Sequence, residues 1–502
     1  MAYLPTRAKA ALWPCVVFIL ALIPRLLDLG NRPFWLDEVF TYNRAALAPK
    51  ALALNSFQNH HAPEFFLLLS PLTHLGHPEF WLRVPSAIFG ALAVALTFMI
   101  ATRVAGRLAG VMAALVLGLS PIVLGFAQEA RSYTLVMTLI LVALYGVTRL
   151  AQNGHGEKTG WLCYSFGTAA ALNILGDSLP WFLAANLILL ALLGFSNQRR
   201  AFLRAILLSD ALILALTAPV YLFMLHFQAQ SVTTSLGWIP PLTPGRIWYN
   251  FGAVYLMHVP DWVSFRLLSH HAIPGVVWLI DLLLLISLSI AVWQLRRWPQ
   301  MLITQGLAFL FLPCLFLLIS LVHPVLLPRY LLWSAAPFAI LAGVGLARLI
   351  RALNAPRLRR MAGLGVAVLL LLNLLPYYRT ETKPRWDIAA QQLASEVKPG
   401  DVVLFSDTGV VPILQLYLPE AAQPIVLGTP YADAKQAQEA LAQGHRVWVV
   451  YGHAGQNTST RHGFFTSLHQ LGQPELIQKA GTRITIALYQ PPTFRVSAST
   501  PP

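Results

Sequence analysis

The sequence predicts an α-helical polytopic membrane protein of about eleven transmembrane helices, followed by a small C-terminal α/β domain outside the membrane. Three observations predict this. Only 11% of the 502 residues are charged and 57% are hydrophobic, whereas a soluble domain carries about 25% charged residues. Apolar runs of near-bilayer length recur from residue 10 to residue 377, and a spanning helix needs about 20 such residues. Beyond residue 379 the pattern changes to short apolar strands alternating with helical periods.

The apolar runs are 10–28, 84–102, 108–126, 133–150, 161–176, 180–197, 205–223, 272–295, 301–322, 331–347 and 361–377. Arg7 and Lys9 precede the first run as in a signal peptide, but Pro24-Arg25-Leu26 stands where small residues would mark cleavage. An uncleaved first helix is expected. With the N-terminus inside, the inner segments hold sixteen bases, from Arg7 to Arg360, against the single acid Glu157. The outer loops hold eight acids and nine bases. That asymmetry follows the positive-inside rule and places the C-terminal domain outside. It also accounts for the net charge of +15 as a topology signal, which excludes a nucleic-acid partner. Cys15, Cys163 and Cys314 lie scattered in apolar runs, so no disulfide framework and no thiolate metal site is expected.

Three outer segments carry the polar chemistry. Residues 29–83 form a long first loop with amphipathic pieces at 37–47 and 63–76, suited to the membrane interface. Residues 127–132 are a tight turn between two spans, and 224–271 form a second long loop rich in Trp, Tyr, Pro and His. The domain plan is therefore 1–378 in the membrane, 379–490 as the outer α/β domain and 491–502 as a disordered tail. In the outer domain, helices are expected at 387–397 and 433–442, and strands at 402–405, 446–451 and 483–489.

Candidate site residues cluster in the outer segments. Asp37 and Glu38 are adjacent carboxylates in a chain with only 20 acids, and such a pair beside a membrane needs a cationic or protic answer. A plain helix start, with acids favoured in the first turn, is the competing explanation. His61 and Glu64 could share a helical face and hold a divalent cation. Gln128-Glu129-Ala130-Arg131-Ser132-Tyr133 and Pro328-Arg329-Tyr330 stand at outer ends of spans. An arginine fork there suits a phosphate, although Glu129 and Arg131 could equally neutralise each other, and Arg329 could simply snorkel. Asp210 and Asp281 fall within spans, where an acid is a functional candidate by default. No phosphate-binding glycine motif supports a nucleotide.

These residues resemble the membrane-embedded GT-C glycosyltransferases, in particular bacterial relatives of protein O-mannosyltransferases and of the lipid A aminoarabinose transferase. Trp35-Leu36-Asp37-Glu38 is similar to that family's acidic first-loop motif. Asn59-His60-His61-Ala62-Pro63 is similar to its His-Pro-Pro stretch, with Ala62 in place of the first proline. Arg83-Val84-Pro85-Ser86, the segment from Gln128 to Tyr133, and Pro328-Arg329-Tyr330 follow in the family's order. The resemblance implies a GT-C-like fold and transfer of a sugar from a polyprenyl-phosphate donor, on the extracytoplasmic face and with inversion. The acceptor would be a hydroxyl of a glycan, lipid or protein. It implies Asp37 as general base, with Arg131 and Arg329 holding the departing lipid phosphate. Glu38, His61 and Glu64 would orient the acceptor or hold a cation, and Arg83, Glu129, Tyr133 and Tyr330 complete the substrate-binding set. No cofactor is required by these residues, a divalent metal ion at His61 and Glu64 being the candidate. The alternative is a transporter or flippase of a lipid-linked sugar, which would use the same groups for binding alone.

Overall fold

The computed structural model describes residues 6–228, 239–261, 266–267, 273, 275–405, 410–418, 434–452, 466, 468–481 and 484–491. The expected disordered tail, apart from Pro491, and parts of the second long loop lie outside the described residues. The chain divides into two compact units. Met1–Asn31, Thr41–Leu236 and Pro241–Thr380 form the first, and Arg32–Phe40, Gly237–Pro240 and Glu381–Pro502 the second. The acidic stretch of the first loop is thus grouped with the C-terminal residues.

In the first unit the apolar runs are helical. Among the described residues, eight helices are long and apolar enough to cross a membrane, or nine if one bent pair counts as a span. The runs at 10–28 and 161–176 correspond to the helices Thr6–Leu26 and Lys158–Ile174. Burial sorts the spans. The window in Pro328–Ala352 is 94% buried, while those in Val276–Leu295, Pro299–Ser320 and Pro356–Arg379 are 28% buried. The outer helices expose residues such as Trp278, Leu282, Leu318 and Leu364, which in a bilayer are solvated by lipid. Small residues let inner helices approach closely. A Cβ added at Gly146 would collide with the Gly160 carbonyl of the neighbouring helix.

The continuous run 108–126 departs from the expectation of a single straight span. It breaks into Arg107–Gly118 and Pro121–Ala127 with a bend of 66°. Pro121 lacks an N–H and starts the second piece, with Ser120 extended before it. The fully buried Arg25 donates from Nη1 to the carbonyls of Ala21 (2.7 Å) and Gly118 (3.4 Å). A cation there complements the C-terminal end of the first piece. Gly90 leaves room for it, since a Cβ would stand 2.9 Å from Arg25 Nε. The bend delivers Gln128 to the end of the first helix, where Gln128 Nε2 donates to the carbonyls of Leu27 (2.6 Å) and Arg25 (3.1 Å). The Tyr377 hydroxyl donates to Gln128 Oε1 at 2.7 Å.

Both intramembrane acids have partners. Tyr164 donates to Asp210 Oδ1 at 2.7 Å. His258 Nε2 lies 3.0 and 2.9 Å from the two carboxylate oxygens of Asp281, and both residues are buried. An unpaired intramembrane carboxylate would be costly, so these contacts give both acids a structural explanation.

In the second unit a four-stranded sheet runs in the order Val402–Phe405, Val447–Tyr451, Thr485–Tyr489, Leu476–Lys479. The first pair is parallel, with Val402 opposite Val447, and the other two pairs are antiparallel. A parallel pair needs a crossover, and helices Val410–Tyr417 and Ala434–Ala442 lie between its strands in sequence. The edge strand Leu476–Lys479 alternates in exposure while the inner strands are mostly buried. Its weak apolar pattern explains why sequence periodicity misses it. Asp401 accepts from Arg446, Trp448 and the Lys398 backbone N–H. Burial opposes its ionisation, but these donors outweigh burial and hold the carboxyl below its ordinary range.

Candidate functional site

The acid pair opens a helix, and its two members have different surroundings. Helix Leu36–Ala45 carries Asp37 and Glu38 in its first turn. Glu38 reaches back to the Trp35 backbone N–H (3.4 Å), the glutamate half of a capping box. It is fully buried, and Lys383 Nζ stands 2.7 Å from its Oε2. Asp37 is only half-buried. A helix start therefore accounts for Glu38, and Asp37 is the more accessible carboxylate. Phe34 and Arg32, just upstream, are tied within the same unit. The Phe34 N–H donates to the Tyr417 hydroxyl (2.6 Å), and Arg32 Nη1 donates to Thr382 Oγ1 (2.7 Å).

In the first unit the turn 128–132 and the start of the central helix bring cations together. Arg131 Nη1 donates to Thr41 Oγ1 at 3.2 Å, and its carbonyl accepts from Ser86 Oγ at 3.0 Å. The Arg131 guanidinium lies 5.8 Å from the centre of the Tyr133 ring. Arg44 is 9% exposed, bonded to Asn55 Oδ1 (2.9 Å) and stacked 4.6 Å over Phe66. Burial and then the Arg131 charge press the Arg44 pKa down to about 10, so it stays cationic at neutral pH. Arg329 lies in the first turn of Pro328–Leu331, with its guanidinium 5.3 Å from the Tyr330 ring centre. Tyr133, Asp177, Arg329 and Tyr330 line one small cavity with Val136, Leu175, Leu332 and Trp333. Arg329 and Arg131 are both near enough to Asp177 to act on it electrostatically, against the opposing effect of burial. Arg329, Asp177 and two phenols thus share one cavity, with Arg131 beside Tyr133 and Arg44 near Arg131. Such a setting favours an anionic ligand with several acceptor oxygens.

The other sequence candidates are placed differently. Arg83 is 1% exposed and donates from Nη1 to the Leu29 carbonyl at 2.9 Å. Glu129 is buried, and its carbonyl accepts from the Arg131 N–H at 2.8 Å. His61 packs edge-on against Phe66 with ring centres 5.9 Å apart. Glu64 starts the helix Glu64–Leu69, and its Oε2 is buried without a hydrogen-bond partner. Burial, only partly offset by a backbone N–H, raises its pKa. Among the described residues no group of three or more His, Cys, Asp or Glu is placed to hold a metal ion.

Arg44, Asp177 and Lys383 are the residues that sequence reasoning passed over. Arg44 sits seven residues after Asp37 on the same helix, a signal that was legible. Asp177 is a lone acid at the start of an apolar helix, and Lys383 lies 345 residues from its partner. Neither forms a local motif.

The comparisons agree with this architecture. Residues 60–223 match the family model described as dolichyl-phosphate-mannose-protein mannosyltransferase. No curated protein matches the chain by sequence. ArnT from Cupriavidus metallidurans in the apo state superposes with a TM-score of 0.58 at 15% identity, covering 96% of this chain and 98% of that one. The same protein bound to undecaprenyl phosphate gives 0.55 at 14% identity, covering 98% and 99%. The archaeal oligosaccharyltransferase AglB from Archaeoglobus fulgidus, in complex with an inhibitory peptide and a dolichol-phosphate, gives 0.52 at 12% identity. That match covers 88% of this chain and 69% of the other.

Proposed function

We propose, from the premise that this integral membrane chain has the GT-C fold of membrane glycosyltransferases, that it moves a sugar from a polyprenyl-phosphate donor to an acceptor hydroxyl. The observation that carries the proposal is the convergence of Arg44, Arg131 and Arg329 with Asp177 and two tyrosines. It occurs in a fold shared with a protein solved with undecaprenyl phosphate bound. In this reading the half-buried Asp37 takes the acceptor proton as the hydroxyl oxygen attacks the anomeric carbon. The bond from that carbon to the phosphate oxygen breaks, and the lipid phosphate leaves with the electron pair. Arg131 and Arg329 stabilise the charge that gathers on it. A single displacement inverts the anomeric centre. Glu38, buried against Lys383, supports Asp37 and does not itself meet the acceptor.

The charge asymmetry of the loops supports an N-terminus in the cytoplasm and C-terminal residues outside, and the family resemblance supports a bacterial inner membrane location. The acceptor class is a glycan, lipid or protein hydroxyl at that outer face. Purified full-length protein, given polyprenyl-phosphate-linked hexoses and pentoses, tests the activity. Release of free polyprenyl phosphate together with a glycosylated acceptor is expected. Movement of the intact lipid-linked sugar across vesicles without cleavage would favour the transporter instead. Reporter fusions after Arg297 and after Pro399 test the sidedness, with cytoplasmic and extracytoplasmic activity expected in turn.

A further inference from the structure

We infer that Lys383, outside every motif in the sequence, is a positioning residue that fixes the general base Asp37 through Glu38. This inference rests on the glycosyl-transfer reading above. Its basis is the way the second unit holds the segment 32–38. Three contacts pin that segment over seven residues: Arg32 Nη1 to Thr382 Oγ1 at 2.7 Å, the Phe34 N–H to the Tyr417 hydroxyl at 2.6 Å, and Lys383 Nζ to Glu38 Oε2 at 2.7 Å. The donors and acceptors on the other side all come from residues 382–417.

The last contact is the one that reaches the helix. Glu38 is the third residue of Leu36–Ala45 and Asp37 the second, so fixing one carboxylate at its tip fixes the turn that bears the other. Glu38 is 0% exposed and Lys383 12%. Both charges are therefore largely out of water, where an ion pair is directional and the loss of one partner is not made good by solvent. Lys383 is itself held, because Arg385 binds Asp387 Oδ2 (2.6 Å) and Glu381 Oε1 (3.4 Å) on either side of it. Gly481 presses close to this linker, since a Cβ there would lie 2.7 Å from Arg385 Cβ. Residues 382–417 thereby gain a role within their unit: they hold the first turn of the base-bearing helix in place.

The reason this hold matters is geometric. A general base works only within hydrogen-bond reach of the proton it takes, and a misplacement of about 1 Å can cost about 10²-fold in rate. Arg329, on the separate helix Pro328–Leu331, does not share that turn. Loss of Lys383 should therefore lower kcat far more than donor affinity.

The test uses detergent-solubilised full-length chain and three variants: Lys383→Met, Lys383→Arg and the double Lys383→Met with Glu38→Gln. The double variant leaves no buried charge alone, so it guards against a folding failure of Lys383→Met. Transfer is followed with the lipid-linked sugar that the parent turns over, binding with undecaprenyl phosphate, and the first turn of the helix by amide hydrogen exchange over 36–40. Expected are a fall in kcat of about 10²-fold in both methionine variants, undecaprenyl phosphate affinity within about twofold of the parent, and faster exchange over 36–40. Lys383→Arg, which keeps the ion pair, should recover most of the rate. A double variant with the parent's kcat and exchange would overturn the positioning role while leaving the function intact. A raised KM at unchanged kcat would overturn it too, making Lys383 a substrate contact. A parent chain that cleaves no lipid-linked sugar overturns the function itself, and the role of Lys383 with it.

Discussion

Two regions of the membrane unit use the same kinds of residue for opposite ends. At the roots of the loops, Arg25, Arg83 and Gln128 are almost wholly buried and each donates to a backbone carbonyl. At the mouth, Arg131 and Arg329 are half-buried, lie beside tyrosine rings and share an electrostatic field with Asp177. Sequence proximity does not separate the groups, since Gln128 and Arg131 are one turn apart. Burial does. A buried guanidinium whose Nη1 is spent on a fixed carbonyl, as in Arg25 and Arg83, ties two segments together, whereas a less buried one next to another cation favours an anion.

Substitutions can break or sharpen this contrast. The largest effect on stability is expected at a root-type contact. Asp281→Ala leaves the buried His258 without its carboxylate partner and should cost about 3–5 kcal/mol, measured by thermal unfolding in detergent. Undecaprenyl phosphate binding by the folded fraction should persist. Next comes the mouth: Arg329→Ala should leave the unfolding temperature unchanged but weaken undecaprenyl phosphate binding by about 10–100-fold, the value of one charged hydrogen-bonding group at roughly 1.5–3 kcal/mol. If instead stability falls and affinity holds, Arg329 belongs with the roots. Arg83→Met, which leaves the Leu29 carbonyl without its donor, should cost about 1–3 kcal/mol of stability with donor affinity intact.

The smallest effect is expected at Glu64. Its carboxyl pKa is raised by burial, so the folded state favours the protonated form. The stability it contributes is full below its unfolded pKa and is lost as pH rises through the folded value. Glu64→Gln, which imitates the protonated acid, should match the parent in acid and unfold at a slightly higher temperature at pH 8. An unfolding temperature that drops at pH 8 on this change would mean that Glu64 works as a carboxylate, reopening a cation at that position.

The spans were legible because lipid permits little else. A run of about 20 apolar residues is stable as a helix in a bilayer, and among the described residues these runs are helical, 108–126 as two bent pieces. The break at Ser120-Pro121 was not legible as a bend, since the flanking residues stay apolar and prolines occur inside other spans, such as Pro219 and Pro313. Arg131 and Arg329 stood out as charges at span ends, and the structure sets both beside tyrosines at the mouth. Arg83 looked alike in sequence and is set on the Leu29 carbonyl, a contact that only three-dimensional structure reveals. Asp37 and Glu38 are chemically near-equivalent as letters. What distinguishes them is Lys383, a partner supplied from 345 residues away, which no local pattern announces.

The central claim is that the accessible member of that pair is the base. Asp37→Asn keeps the size and much of the hydrogen bonding of the side chain but cannot accept the proton. In purified full-length protein, undecaprenyl phosphate affinity and sugar transfer from a lipid-linked donor are to be measured on the same preparation. The account predicts affinity within about twofold of the parent and a transfer rate lower by about 10²–10⁴-fold, the usual worth of general-base assistance. An Asp37→Asn protein that transfers sugar at the parent rate would contradict it.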